Sequence, residues 1–546
     1  MSNFEIYYEG WRKSLTIILL FKILLIIYLT KSYSIFSLIQ KNLNNYSIIF
    51  LSFYFLLSLS PPTDADSLDY HLGVPLYLFF EQKLIIQENW FHHMLFGYGE
   101  FLNFFGIIFG SNIFGQYINF FSVFSLLICL NLFKKKFNSK IDVSLFVLAT
   151  PLLIMLIYSS KTQLFPSLLF LLSLFLIIEN YKNLKNNYVI ILIFVFFNIG
   201  CKFNFVITSF IISLILLYFS YREKKILQFF TKGISVFLLI LLPIFFLKFS
   251  LYNDLFPPAF EFLKTNPNLS LVKFFSSLKT DDATFYNFEP YSLFFIFLPF
   301  ITSLTFQFGN ITGLLSVSFL FYYYYIYLAY KSLKTEKKSD QLKIILFVSL
   351  SINLIFIFLP NFQPRYWLEF YWTFIIGLAF LCKNDKVAFY LNKLNKLQSI
   401  FILLFLILSV FTFFPASLTE KQHQKVLKKY TFGYNQSSWI NSNLKKNESV
   451  ISERLRSRVF LDQNSVSRER IFKFPDRDKY ELLKMSKIDN IVLEYPINDK
   501  DLKLFFDECA DPDGQKKSVF FNETRNFLSE LRNVKYTLIF FRNLCK

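Results

Sequence analysis

Residues 47–71 read SIIFLSFYFLLSLS and then, without a spacer, PPTDADSLDYH. The first part is an apolar run closed by a Pro-Pro pair. The second places Asp64, Asp66, Asp69 and His71 within eight residues. Carboxylates this close repel one another and are costly to desolvate. Their junction with the apolar run therefore marks a change of solvent, from hydrocarbon to an aqueous rim.

The rest of the 546-residue chain follows the same division. It is 54% hydrophobic and only 17% charged, a balance no soluble domain shows. Apolar runs of roughly 17–25 residues recur through the first three quarters, each long enough to span a bilayer as a helix. The expected fold class is an α-helical polytopic membrane protein. A run at about 12–31 contains Lys22 and has no small-residue cleavage motif after it, so it reads as a retained helix. The net charge of +19 does not indicate nucleic acid, because much of the Lys and Arg lies in short connections, where it sets topology.

Those connections are KKKFNSK (134–140), YKNLKNN (181–187), YREKK (221–225), KSLKTEKKSDQLK (331–343) and KNDKVAFYLNKLNK (383–396). With these five on the cytoplasmic side, parity gives about twelve crossings in a domain spanning 1–414. Loops 61–111 and 251–308 fall outside. Residues 141–158 and 163–179 form a hairpin with SSKT (159–162) at its outer tip, and 188–219 splits at GCKF (200–203). Residues 291–310 are read as an interface helix and 309–330 as a crossing. After 415 the chain turns polar, and NIVLEYP (490–496) and KYTLIFFRN (535–543) alternate with helical DRDKYELLKMSK (476–487) and NFLSELRN (526–533). That pattern predicts a small α/β domain over 415–546, on the periplasmic side.

The outer loop 61–111 holds Asp64, Asp66, Asp69, Glu81, Glu88 and Glu100, with three of the chain's four histidines: His71, His92 and His93. A solvated loop explains any one of these charges, but not the cluster. Asp64 can also serve as the cap of a helix beginning near Ser67. In NFQPRYWLEFYW (361–372), Arg365 either neutralises Glu369 one turn later or holds an anion such as a phosphate. An acid cluster and an arginine on one membrane face suit a reaction in which a base deprotonates an acceptor while cations stabilise a phosphate leaving group.

DADSLDYHLGVPLYL (64–78) resembles the first-outer-loop motif of the GT-C superfamily of membrane glycosyltransferases, in particular bacterial relatives of the protein mannosyltransferase and aminoarabinose transferase group. Their Asp-x-x-x-Tyr-His pattern maps to Asp66, Tyr70 and His71. The segment 94–120 is similar to their Glu before an amphipathic helix, at Glu100. NDLFPPAF (253–260) resembles their outer-loop turn, and QPRYWLEFYW (363–372) their late Arg-Tyr element. The resemblance covers about 47–382. It implies Asp66 as catalytic base or metal ligand, with Asp64, His71 and Glu100 beside it, and Arg365 and Tyr366 at the donor phosphate. A divalent metal ion, where the reaction uses one, falls to Asp66 and Asp69. Several relatives carry a second acid in the next outer connection. This chain has SSKT there, so Lys161 or Lys202 is either a further phosphate contact or an interface lysine that snorkels.

The implied function is transfer of a sugar from a polyprenyl-phosphate donor to a periplasmic glycan, lipid or protein acceptor, in a bacterial inner membrane. An O-antigen-type polymerase or ligase is the alternative enzyme, although those rely on arginines in their outer loops. A flippase or other transporter would place its charges at mid-membrane and often show internal repeats. Cys509 and Cys545 are the two cysteines outside the apolar runs, and an oxidising compartment would pair them.

Overall fold

Each apolar run becomes a helix whose ends are set by local chemistry. Asn44 caps Asn45–Ser58 by accepting the Ser47 N–H at 2.8 Å. Pro61 and Pro62 lack the N–H a helix would need and follow its end. The computed structural model of the chain describes residues 43–81, 91–255, 315–335, 340–358, 364–383, 385–445, 448–455, 459–461, 465–466, 471–472, 479–521 and 535–546. The expected run at 12–31, Glu88, the side chain of His92, most of loop 251–308, the interface helix at 291–310 and NFLSELRN lie outside the described residues.

At the centre is Leu368–Leu381, in which every residue from Leu368 to Phe380 is buried. A helix apolar on all sides belongs inside a bundle. Its Gly377 lets the Tyr325 ring approach so closely that a Cβ there would meet the ring at 2.3 Å. Phe114–Lys136 and Leu164–Asn180 pack against it, and Tyr188–Cys201 packs in turn on Leu164–Asn180. Among the described residues, Phe114–Lys136, Ile226–Tyr252 and Lys386–Ser417 are long and apolar enough to cross a membrane unaided, and four shorter apolar helices accompany them. The expected count of about twelve rests partly on residues outside the described set.

The break at GCKF lies where the sequence places it. The helix ends at Cys201, Lys202 is extended (φ −166°, ψ 144°), and one 3-10 turn, Phe203–Phe205, leads into Val206–Arg222. KNDKVAFYLNKLNK differs from expectation: from Asp385 onward it is the first part of the helix Asp385–Phe413. Its polar residues pay for this position with contacts, as Asn392 accepts the Asp142 N–H at 2.8 Å.

The basic connections gather at one end of the bundle. Lys136 pairs with Glu179 at 2.7 Å, Arg222 with Asp340 at 3.6 Å, and Glu223 accepts the Leu184 N–H at 3.1 Å. The acidic loop lies at the opposite end.

The polar tail forms a five-stranded mixed sheet: β1 Val450–Ser452, β2 Ser465–Val466, β3 Asn490–Tyr495, β4 Lys516–Phe521 and β5 Lys535–Arg542. The strand order is β2-β1-β3-β5-β4, parallel across β2-β1-β3 and antiparallel across β3-β5-β4. Helices Lys479–Met485 and Lys500–Cys509 cover one face through Leu483, Leu502 and Phe505. The tail seats directly on the acidic loop. Phe432 N–H donates to Thr63 O at 3.0 Å, and Leu68 packs among Leu427, Tyr434 and Phe460.

Cys509, at the end of its helix, is bonded to Cys545, with Cα atoms 5.2 Å apart and a sequence separation of 36. Closing a loop of that length contributes about 4 kcal/mol in the chain-entropy view. Reduction is therefore expected to lower the unfolding midpoint of the tail. Peptide mass spectrometry without reductant should recover residues 509 and 545 linked, with Cys129, Cys201 and Cys382 as thiols.

Candidate active site

Between Ser60 and Leu72 the chain cannot continue its membrane helix, so its polar groups must find partners at the bundle's end. Asp64 Oδ1 accepts the Ser67 N–H at 3.1 Å, the capping contact expected of it. The turn that follows, Ser67–His71, is π-helical where an ordinary helix was expected. Such turns are rare and recur at functional sites. Here the wider turn accompanies burial of Asp69, Tyr70 and His71 together.

Two cations come to this turn from distant parts of the chain. Lys161 Nζ lies 3.1 Å from Asp64 Oδ1 and 3.1 Å from Asp66 Oδ2. Arg365 donates from a terminal guanidinium nitrogen to Asp66 Oδ2, also at 3.1 Å. Asp66 is thus shared between an ammonium and a guanidinium. Burial pushes the Asp64 carboxyl up, but Lys161 and the Ser67 hydrogen bonds outweigh it and hold it below its ordinary range. Burial also opposes the Arg365 charge, and Tyr366 and Asp66 overcome that and hold it cationic.

A third cation, Lys202, lies beside them at the helix break. Its Nζ donates to the Tyr70 hydroxyl at 3.4 Å and stands 5.8 Å from the centre of the Tyr366 ring. The Arg365 guanidinium stands 5.0 Å from the same ring. Cations over aromatic faces are held without a carboxylate partner. Burial raises the Tyr366 hydroxyl's affinity for its proton, but Arg365 and Lys202 reverse the balance and the net direction is down.

Behind the turn, His71 Nδ1 and Glu100 Oε1 are 2.6 Å apart and both residues are buried. The Gly97 N–H donates to Glu100 Oε2 at 2.8 Å. Only glycine fits at 97, because a Cβ would meet the carbonyl oxygens of Gly200 and Cys201 at 2.6 and 2.5 Å. Asn103 Nδ2 donates to His71 O at 2.8 Å and Ser160 O at 3.1 Å, tying the loop to the tip of the hairpin.

The structure brings Asp64, Asp66, Lys161 and Arg365 into one ion cluster, with Lys202, Tyr70 and Tyr366 alongside and His71–Glu100 behind. Arg365 does not neutralise Glu369. That carboxyl is buried and accepts the Ser167 hydroxyl at 2.7 Å. Lys161 does not snorkel either: it is 8% exposed and held by two carboxylates. Among the described residues no three His, Cys, Asp or Glu side chains converge as metal ligands. Asp66 faces two cations, Lys161 and Arg365, a donor set that does not fit a divalent ion.

Sequence reasoning passed over the amides that shape the cluster. Asn119 Nδ2 donates to the carbonyls of Leu156, Ser159 and Lys161 at 3.0, 2.9 and 2.9 Å, and Gln116 donates to Tyr158 O. Two amides one turn apart in an otherwise apolar helix were the available signal, since buried amides need partners.

The chain matches the DUF1420 N-terminal domain over residues 3–427 and belongs to that family. Two crystal structures of ArnT from Cupriavidus metallidurans are similar in fold. The form bound to undecaprenyl phosphate matches with TM-score 0.54 and the apo form with 0.53, each at 10% identity over 90% of this chain and 97% of theirs. The fold is therefore GT-C-like, as the loop motifs implied. No protein of curated function matches the sequence.

Removing one partner from a buried ion pair strands the other charge and costs roughly 3–5 kcal/mol. Lys161→Met should destabilise the protein by about that much in thermal unfolding in detergent, and Lys161→Met with Asp64→Asn should recover part of the loss. Because the Asp64 carboxyl is held down in the folded state, its contribution is present above the unfolded value of about 4 and lost as pH falls through the lower folded value. Acid titration of the unfolding midpoint should show that loss in the wild type and a weaker one in Asp64→Asn.

Proposed function

We propose that the protein is a membrane glycosyltransferase that moves a sugar from a polyprenyl-phosphate donor to a periplasmic glycan, lipid or protein acceptor. The observation that carries this reading is the convergence of Asp66, Lys161 and Arg365 at the end of the bundle opposite the basic connections. Basic connections mark the cytoplasmic side of a membrane protein, so the cluster faces the periplasm of a bacterial inner membrane. The likeness of the fold to a structure that binds undecaprenyl phosphate supports the lipid-phosphate donor.

The charges set the roles. Lys161, Lys202 and Arg365 bring three cations to one rim beside Asp64 and Asp66, a setting that suits a phosphodiester monoanion. The donor phosphate lies against Lys202, which donates to the Tyr70 hydroxyl, and against Arg365, which gives Asp66 one terminal N–H and has further N–H groups to offer an anion. Asp66 accepts the proton of the acceptor hydroxyl or amide as the new bond to the sugar's anomeric carbon forms. The bond from that carbon to the phosphate oxygen breaks, and polyprenyl phosphate leaves against the cations. The His71–Glu100 pair holds the turn that presents Asp66.

Purified protein supplied with polyprenyl-phosphate sugars and candidate acceptors should release polyprenyl phosphate. Asp66→Asn preserves shape and should lower transfer at least about a hundredfold with folding intact. Arg365→Lys keeps the charge but loses the fork, and should weaken donor binding about tenfold. Full activity in Asp66→Asn, or lipid translocation without phosphate release, would sink the transferase reading.

A further inference from the structure

Arg365 reaches Asp66 from a 3-10 turn, Pro364–Trp367, whose backbone is bonded by the neighbouring helix. Gln163, the residue before Leu164–Asn180, donates from Nε2 to Arg365 O at 3.0 Å. One turn on, Ser167 donates from its hydroxyl to Glu369 Oε1 at 2.7 Å. Gln163, Ser167 and Glu369 are all buried.

The spacing is the same on both sides. Gln163 and Ser167 are four apart on one helix start, and Arg365 and Glu369 are four apart on the other. Residues four apart share a helix face, so the two bonds form a brace between two helix N-termini lying side by side. The same hairpin tip carries Lys161 to the other side of Asp66. One short segment, 161–167, thus sets both cations that flank this carboxylate.

The geometry points to Gln163, Ser167 and Glu369 as positioning residues that set the Arg365 guanidinium against Asp66, and through it against a donor phosphate. The second half of that statement rests on the transferase reading; the first does not. Removing the donor of either bond leaves a buried acceptor unsatisfied and lets the turn shift. A misplacement of this scale is enough to spoil an oriented site.

Two measurements test the brace on the full-length protein. The first is the rate at which phenylglyoxal modifies Arg365, followed by peptide mass spectrometry and needing no substrate. Gln163→Leu and Ser167→Ala should each speed modification about fivefold, the equivalent of one hydrogen bond. Ser167→Thr keeps the hydroxyl and should match the wild type. The second is binding of undecaprenyl phosphate in a double-mutant cycle. Gln163→Leu should weaken binding about fivefold in the wild type and not at all in Arg365→Met, because its effect passes through Arg365. Unchanged modification rates in both Gln163→Leu and Ser167→Ala, or an equal loss of binding in the two backgrounds, would overturn the proposal. If Arg365→Met binds the lipid as tightly as wild type, the phosphate reading falls, and the modification rates alone decide the brace.

Discussion

Asp66 is held between Lys161 and Arg365, and much of the structure at this end of the bundle is arranged around that fact. A carboxylate in a largely buried rim needs countercharge, and the two cations that supply it stand about a hundred and three hundred residues away in the chain. To bring them there, the hairpin tip must project Lys161 and the central helix must begin with Arg365 at the same depth. The amides of Asn103 and Asn119 bond the carbonyls around that tip, and Gln163 bonds the carbonyl of Arg365 itself.

Buried polar groups are costly unless satisfied, so their partners are specific in a way apolar packing is not. Leucine and phenylalanine fill most of the bundle and tolerate rearrangement. The ion cluster does not, because shifting one member leaves another unpaired. This explains why the scaffold can share its fold with ArnT at 10% identity. The bundle needs only apolar residues of suitable size, while the rim depends on particular residues.

The tail adds a second constraint on the same loop. Its helices and disulfide build a sheet with its own core, and Phe432, Leu427, Tyr434 and Phe460 then bear on Thr63 and Leu68. The π-helical turn carrying Asp69, Tyr70 and His71 is therefore pressed from the tail on one side and anchored through Asn103 on the other. The sheet stands against the site and is not a tethered appendage.

The sequence by itself determined the membrane class, the end of the bundle that carries the acids, the break at Lys202, and the strands at 490–495 and 535–542. Each of these depends on local composition or on the cost of charge in hydrocarbon, and both can be read along one chain. Only the tertiary structure decided partnership. From sequence, Arg365 had Glu369 one turn away as its natural neighbour, and Lys161 had a phosphate or the membrane interface. In the folded chain Asp66 takes both cations, and Ser167 takes Glu369. It also decided that 385–396, in a stretch basic enough to read as a connection, is helix. The physical reason is that a charge's partner is set by distance in space, and in a bundle the nearest opposite charge comes from another helix.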